Sequence, residues 1–194
     1  MSEPQLQTTG ALPMRLRPTM LSDLDFVISV ETDARNLPFI TPWERTQHEG
    51  AVRFPDFRHF IVEAGPDYAS AGFVILQGCR NRHRSVELKR IVLQPKGQGL
   101  GRACVRKLKR MAFNDLHAHR FWLDVKQLNT RAQTLYASEG FIEEGRLRES
   151  VRLTTDVGRR DAAWPGPDGY DSLVVMSLLD REYDARVGLG LEGG

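Results

Sequence analysis

The sequence predicts a single α/β domain built on a mixed, mostly antiparallel sheet, and three observations carry that prediction. A chain of 194 residues with 41% hydrophobic and 27% charged residues has the make-up of one globular domain. At this size folding buries roughly 70% of the surface an unfolded chain exposes, so neither a metal nor a disulfide staple is required. Three strand-like segments then follow one another with only turn-forming residues between them, which leaves no room for the crossover helices of a parallel arrangement. Finally, Leu100, Ala103, Cys104, Leu108, Met111 and Ala112 form an apolar stripe of helical period, after which strand and helix patterns alternate.

Taken in order, residues 14–17 alternate as a short strand that Pro18 stops. Ser22 and Asp25 have the spacing of a capping box ahead of Phe26, Val27 and Val30, which predicts a first helix to Thr32. Pro38, Phe39, Pro42 and Trp43 make residues 33–45 a loop, and Thr46 with Glu49 is expected to cap a short second helix. Strands are expected over residues 59–64, 71–77 and 86–93 as an antiparallel meander, broken at Gly65-Pro66-Asp67 and at residues 78–84. The apolar stripe gives a helix from Leu100, and residues 121–125 give a buried strand. Residues 130–139 form a helix that Gly140 ends, with a strand from Phe141 next. A Gly/Pro-rich loop around 164–169 leads to a last strand over 170–178. The domain is thus expected over 13–180, with a flexible tail at 1–12 and a C-terminal tail at 181–194.

Only Cys79 and Cys104 are present and neither belongs to a CxxC pair, which excludes a disulfide framework and a cysteine zinc site. The first twelve residues lack a basic region followed by an apolar one, and no apolar run reaches about 18 residues. The expectation is a cytoplasmic protein with no membrane partner. Net charge is only +2, yet between Cys79 and Arg110 eleven Lys/Arg face the single acid Glu87, a local balance of 11 − 1 = +10. The remainder carries 16 − 24 = −8. Such a split points to one anion-binding region in an otherwise acidic chain.

That basic region contains the most informative string, Glu87-Leu-Lys-Arg-Ile-Val-Leu-Gln-Pro-Lys-Gly-Gln-Gly-Leu-Gly-Arg102. It reads as a strand, a turn with Gly97, Gly99 and Gly101, and a basic helix. Glycines there let backbone N–H groups converge on a ligand, and the helix N-terminus adds partial positive charge, which together suit a phosphate or pyrophosphate. A tight connection with no ligand would use the same glycines. The string G-x-x-x-x-G-K-[ST] is absent, and a dinucleotide fingerprint from Gly99 would meet Cys104 where a small third residue belongs, although Asp124 lies about 20 residues on.

With Arg120-Phe-Trp-Leu-Asp-Val125, Asn129-Thr-Arg-Ala132, Leu135-Tyr136 and Glu139-Gly-Phe-Ile-Glu-Glu-Gly-Arg146 following that turn, the sequence resembles the GNAT superfamily of acetyl-CoA-dependent N-acetyltransferases from Met14 to Leu179. The resemblance implies a twisted sheet, split near the cofactor, with helices on both faces. It implies acetyl-CoA as cosubstrate, its pantetheine arm along Ile91, Val92 and Leu93 and its pyrophosphate on the turn formed by Lys96, Gly97, Gly99, Leu100, Gly101 and Arg102. Lys96 departs from the family's usual Gln or Arg and keeps charge without the guanidinium fork.

The resemblance also makes Tyr136 the general acid for the departing thiolate and Glu87 the candidate base for the attacking ammonium. Asn129, seven residues before Tyr136, is expected on the same helix face, toward the cofactor's sulfur. The oxyanion would be held by a backbone N–H near Val92 and Leu93. Local readings compete: Tyr136 as a core tyrosine, and Glu87 as a salt-bridge partner of Lys89. Cys104 sits on the apolar stripe and reads as core, and the five histidines show no metal-ligand spacing. The basic stretch 80–84 lacks interleaved aromatics, so nucleic acid is not expected as a partner.

The acceptor slot implied by the family falls between residues 20–58 and 154–172, whose balances are 4 − 7 = −3 and 2 − 4 = −2. That favours a cationic amine, a protein N-terminus or lysine or a small polyamine, with Trp43 a candidate wall of the slot. A homodimer is compatible with the family. A non-catalytic acyl-CoA-binding regulatory module is the alternative function.

Overall fold

The computed structural model describes residues 13–94, 96, 97, 99–153 and 169–192. The expected tail at 1–12 and most of the loop at 164–169 lie outside them. Among the described residues seven strands form one sheet: β1 (Met14–Pro18), β2 (Phe57–Ala64), β3 (Ala69–Gln77), β4 (Ser85–Leu93), β5 (Arg120–Lys126), β6 (Ile142–Arg152) and β7 (Tyr170–Leu179). Their spatial order is β1-β2-β3-β4-β5-β7-β6. The meander β1 to β4 is antiparallel throughout, β4 and β5 run parallel, and β7 inserts antiparallel between β5 and β6. Helices α1 (Leu24–Glu31), α2 (Arg45–Arg53), α3 (Leu100–Arg110), α4 (Thr130–Ser138) and α5 (Asp180–Gly188) complete the fold.

The two-residue period of the strands sorts the core into two layers. Ile61, Phe73, Ile75 and Val92 point to one face and are covered by Leu24, Val27 and Val30 of α1. Their neighbours Val62, Val74, Leu76 and Leu88 point to the other, against Leu100, Cys104, Val105 and Leu108 of α3, Tyr136 of α4 and Tyr183 of α5. Helices therefore lie on both faces of the sheet.

Three expectations need correction. The first helix is not capped by Ser22 and Asp25: a 3₁₀ turn at Leu21–Asp23 precedes it, and the Met20 N–H donates to the Asp23 carboxylate at 2.7 Å. Arg17 grips Asp23 at 2.9 and 3.0 Å, which nucleates the turn early, while Asp25 faces solvent and pairs with Arg45. The second helix likewise begins earlier, with the Glu44 N–H donating to Gln47 Oε1 at 2.8 Å in place of a Thr46–Glu49 box.

The third correction concerns the expected C-terminal tail, whose first half is α5. Glu182 accepts the Leu179 N–H at 2.9 Å, and Tyr183 packs face to face on Phe113 at 4.6 Å. Beyond it Glu192 is buried because fully buried Lys109 needs it: the ammonium donates to Glu192 at 2.7 Å, to the Glu139 carboxylate at 3.1 Å and to the Glu139 carbonyl at 2.8 Å. An ammonium in the interior persists only when so compensated. A π turn at Met111–Asp115 ends α3.

Candidate active site

The site begins where the sheet comes apart. β4 and β5 share only the pairs Ser85↔Arg120, Val86↔Phe121 and Glu87↔Trp122. In the β3–β4 register Ile75 faces Arg90 and Leu76 faces Leu88, so Lys89 is an extra residue in β4. A bulge of this kind bends its strand and increases local twist. Past it, Ile91, Val92 and Leu93 diverge from β5 with no partner on that side among the described strands. On β3, Gly72 lets the backbones close up there, since a Cβ would lie 2.0 Å from the Val92 carbonyl oxygen.

A cleft of about 450 Å³ occupies the opening. Ile91, Val92, Leu93, Lys96, Gly97, Gly99, Leu100, Gly101, Arg102 and Asn129 all line it, together with Tyr136. The sequence reading thus found one contiguous surface. It missed Asn36, Phe39 and Ile40 from the loop after α1, and Arg131, Ala132 and Leu135 from α4. The α4 residues were within reach, standing beside Asn129 and Tyr136 on one helix; the loop residues carried no signal, because only the fold brings that loop across the split.

The turn fits a phosphate-bearing ligand. Gly97 and Gly99 have φ of +98° and +76°, and a Cβ built on either meets nothing within 4 Å, so the turn requires glycine and faces open space. Gly99 is the N-cap of α3 and supplies no side-chain acceptor for the first N–H groups of the helix. Gln94 Nε2 just ahead is buried with no hydrogen-bond partner. Gly101 has a different duty: its Cβ would press on Leu135 of α4 at 3.3 Å, so it serves helix packing.

Two cations expected on the phosphates have protein partners. Lys96 Nζ donates to the Arg35 carbonyl at 3.0 Å and lies 5.3 Å from the Phe39 ring centroid. Arg102 donates to Glu139 at 2.6 Å, and that one carboxylate also receives Arg106 and Lys109. With Arg90 beside Glu31 as well, part of the local +10 is compensated by Glu31 and Glu139, acids distant in sequence.

Tyr136 is buried, and burial, then the charges of Cys104 and Asp124, push its phenol well above the usual tyrosine range. Asn129 caps α4, its side-chain oxygen accepting the Ala132 N–H at 3.2 Å. Cys104 is fully buried with its thiol pushed up to about 12, which suits core packing. Glu87 lies outside the cleft, at the closed end of the split, in a separate recess with Asp56, Gln77, Arg120 and Trp122. Lys89 donates to it at 3.0 Å; burial raises its pKa, Lys89 opposes that rise, and Asp124 adds to it.

Asp124 is the carboxylate the sequence left unused. It stands exposed on β5, two residues beyond the last β4–β5 pair, and its charge acts on Glu87, Arg90 and Tyr136 alike. Its meaning depends on the split, which no local pattern displays.

Comparison with known proteins agrees with this geometry. A family model described as an acetyltransferase (GNAT) domain matches residues 14–142. Spermidine N(1)-acetyltransferase of Vibrio cholerae is 33% identical over 128 residues, covering 65% of this chain and 65% of that protein. An uncharacterized N-acetyltransferase of Mycobacterium tuberculosis is 39% identical over 96 residues, 47% of this chain and 60% of the relative. The chain therefore spans just under two thirds of the curated relatives it matches. Among solved structures, spermidine N-acetyltransferase from Vibrio cholerae in complex with CoA and spermine superposes with a TM-score of 0.73 at 24% identity, over 88% of this chain and 97% of that one. No helix among the described residues is long and apolar enough to cross a membrane.

Proposed function

The chain belongs to the acetyltransferase (GNAT) domain family, and on that premise we propose that it transfers an acetyl group from acetyl-CoA to a primary amine by direct attack. The observation that carries the reading is the convergence, in one cleft at a split parallel pair, of a bare β4 edge, a glycine cradle at a helix N-terminus and Tyr136. Acetyl-CoA, when bound, supplies a thioester carbonyl open to attack. The edge at Ile91, Val92 and Leu93 offers backbone groups to the pantetheine arm as an added strand would, and the cradle holds the pyrophosphate. A backbone N–H near Val92 and Leu93 stabilises the oxyanion. Tyr136 donates a proton to the departing thiolate, a transfer its elevated pKa makes uphill in the free protein, so its contribution is helpful and not indispensable.

The ammonium must lose a proton first. We assign that proton to Asp124, exposed on β5 just past the point where the strands part, in preference to Glu87, which sits in the last β4–β5 pair and is bonded to Lys89. For the acceptor we propose a cationic amine, with polyamines the leading class because the Vibrio cholerae relative is named for spermidine. The acidic balance of the flanking segments supports this only in part. Asp23, Asp25 and Asp33 are already paired with Arg17, Arg45 and Arg35, and Asp156, Asp161 and Asp168 lie outside the described residues. The test is thiol release from acetyl-CoA across an amine panel, alongside thermal stabilisation by CoA. Stabilisation with no turnover on any amine would favour the non-catalytic module.

A further inference from the structure

Helices α1 and α2, strand β4 and the loop before α2 meet at one buried carboxylate. Glu31, at the end of α1, is fully buried. Its Oε2 accepts the Trp43 backbone N–H at 3.0 Å and meets His48 Nε2 of α2 at 2.9 Å, while Oε1 lies 3.2 Å from Arg90 Nε on β4. His48 continues to His59 Nε2 on β2 at 3.2 Å, and His59 Nδ1 to the Thr19 hydroxyl at 2.9 Å. The contacts thus run from Glu31 through both histidines to Thr19, and Arg90 is the ion-pair partner of Glu31.

Arg90 contacts Glu31 at 3.2 Å, and Asp124 stands across the split from it, two residues past the last β4–β5 pair on β5 as Arg90 is three past it on β4. Its side chain is 10% exposed, with the guanidinium 5.3 Å from the Trp43 ring centroid. The other cations nearby have partners of their own: Lys89 is bonded to Glu87, and the Lys126 ammonium donates to the Pro38 carbonyl at 3.4 Å. Which carboxylate Arg90 takes therefore decides whether the split presents a negative charge.

We propose that Glu31 is a positioning residue that sets acceptor specificity: it pins Arg90 against Trp43, keeping the guanidinium off Asp124 and leaving that carboxylate for a cationic amine. This rests on the acetyltransferase reading and on its cationic acceptor. With Glu31 neutralised, Arg90 turns to Asp124, because a guanidinium and a carboxylate in a partly buried setting attract strongly. An acceptor with several positive charges then loses more than one with a single charge.

The experiment compares wild type, E31Q, R90Q and E31Q/R90Q for kcat and KM on spermidine and on singly charged benzylamine, with a ligand-free crystal structure of E31Q. The expected result is a spermidine KM raised by about 10-fold or more in E31Q, a benzylamine KM raised no more than about 3-fold, and the spermidine KM restored to within about 3-fold of wild type in the double variant. In the crystal Arg90 should contact Asp124. A double variant no better than E31Q, equal rises of KM on both amines, or Arg90 still against Trp43 would overturn the proposal. Should E31Q fail to fold, R90Q decides: a spermidine KM at or below wild type supports it, and a raised KM contradicts it. If wild type acetylates neither amine, the acceptor reading falls, while the position of Arg90 in E31Q still tests what Glu31 does.

Discussion

Tyr136 shows how far a single residue could be read ahead of the fold. Its place in the string N-x-x-A-x-x-L-Y put it in the cleft, but its burial and raised pKa come from the packing of α4 on α3 and from Asp124. Tyr136→Phe should therefore lower kcat by roughly 10 to 1,000-fold while acetyl-CoA binding barely changes, and steady-state kinetics with calorimetry would check both. Glu87 was legible as the lone acid in a basic strand; its seclusion was not, because strand pairing decides which side of the split it meets. D124N should thus lower kcat more than E87Q. The reverse order would restore Glu87 as the base. His59 yields a stability prediction. Burial and His48 push it down to about 3, so between that value and the ordinary 6.5 the unfolded chain binds a proton that the native state refuses. Its contribution to stability is accordingly present above about pH 6.5 and is lost as pH falls toward 3, by at most about 1.4 kcal/mol per unit. Denaturant midpoints from pH 7.5 to 4 should fall less in H59N than in wild type.

At the scale of elements, strands and helices with a clean apolar period were placed within one or two residues, because burial on one face writes itself into sequence. Caps were not, since Arg17 and Gln47 compete for the turns through side-chain bonds that a local pattern cannot rank. The helix α5 hid for a related reason: its apolar anchor is essentially Tyr183, and Glu192 matters only once Lys109 is known to be buried. Glu139→Ala should cost about 3 kcal/mol by leaving Lys109 undercompensated, with K109M milder, as chemical denaturation would show. The glycine turn divides likewise. Gly99→Val violates the required positive φ in open space and should abolish stabilisation by acetyl-CoA in a folded protein. Gly101→Val meets Leu135 and should also lower the melting temperature of the free protein.

For the whole molecule, the antiparallel meander and the later strand-helix alternation were legible, the parting of β4 from β5 entered only through the family resemblance, and the insertion of β7 between β5 and β6 was not legible. The β4–β5 and β5–β7 pairings join residues far apart in the chain, such as Ser85 with Arg120 and Arg120 with Leu179, and the parting turns on one extra residue, Lys89. Charge was legible as a sum and misleading as a map: the +10 segment lies at the cleft, yet Glu31 and Glu139, far outside it in sequence, claim part of it. The central claim is that the split sheet holds acetyl-CoA for attack by an amine. Its most direct measurement is the rate of thiol release from acetyl-CoA on adding spermidine, in wild type and in Gly99→Val. The account predicts amine-dependent release by wild type and near-background release by the folded variant. Equal release by the two proteins, or none from wild type although acetyl-CoA stabilises it, would contradict the account.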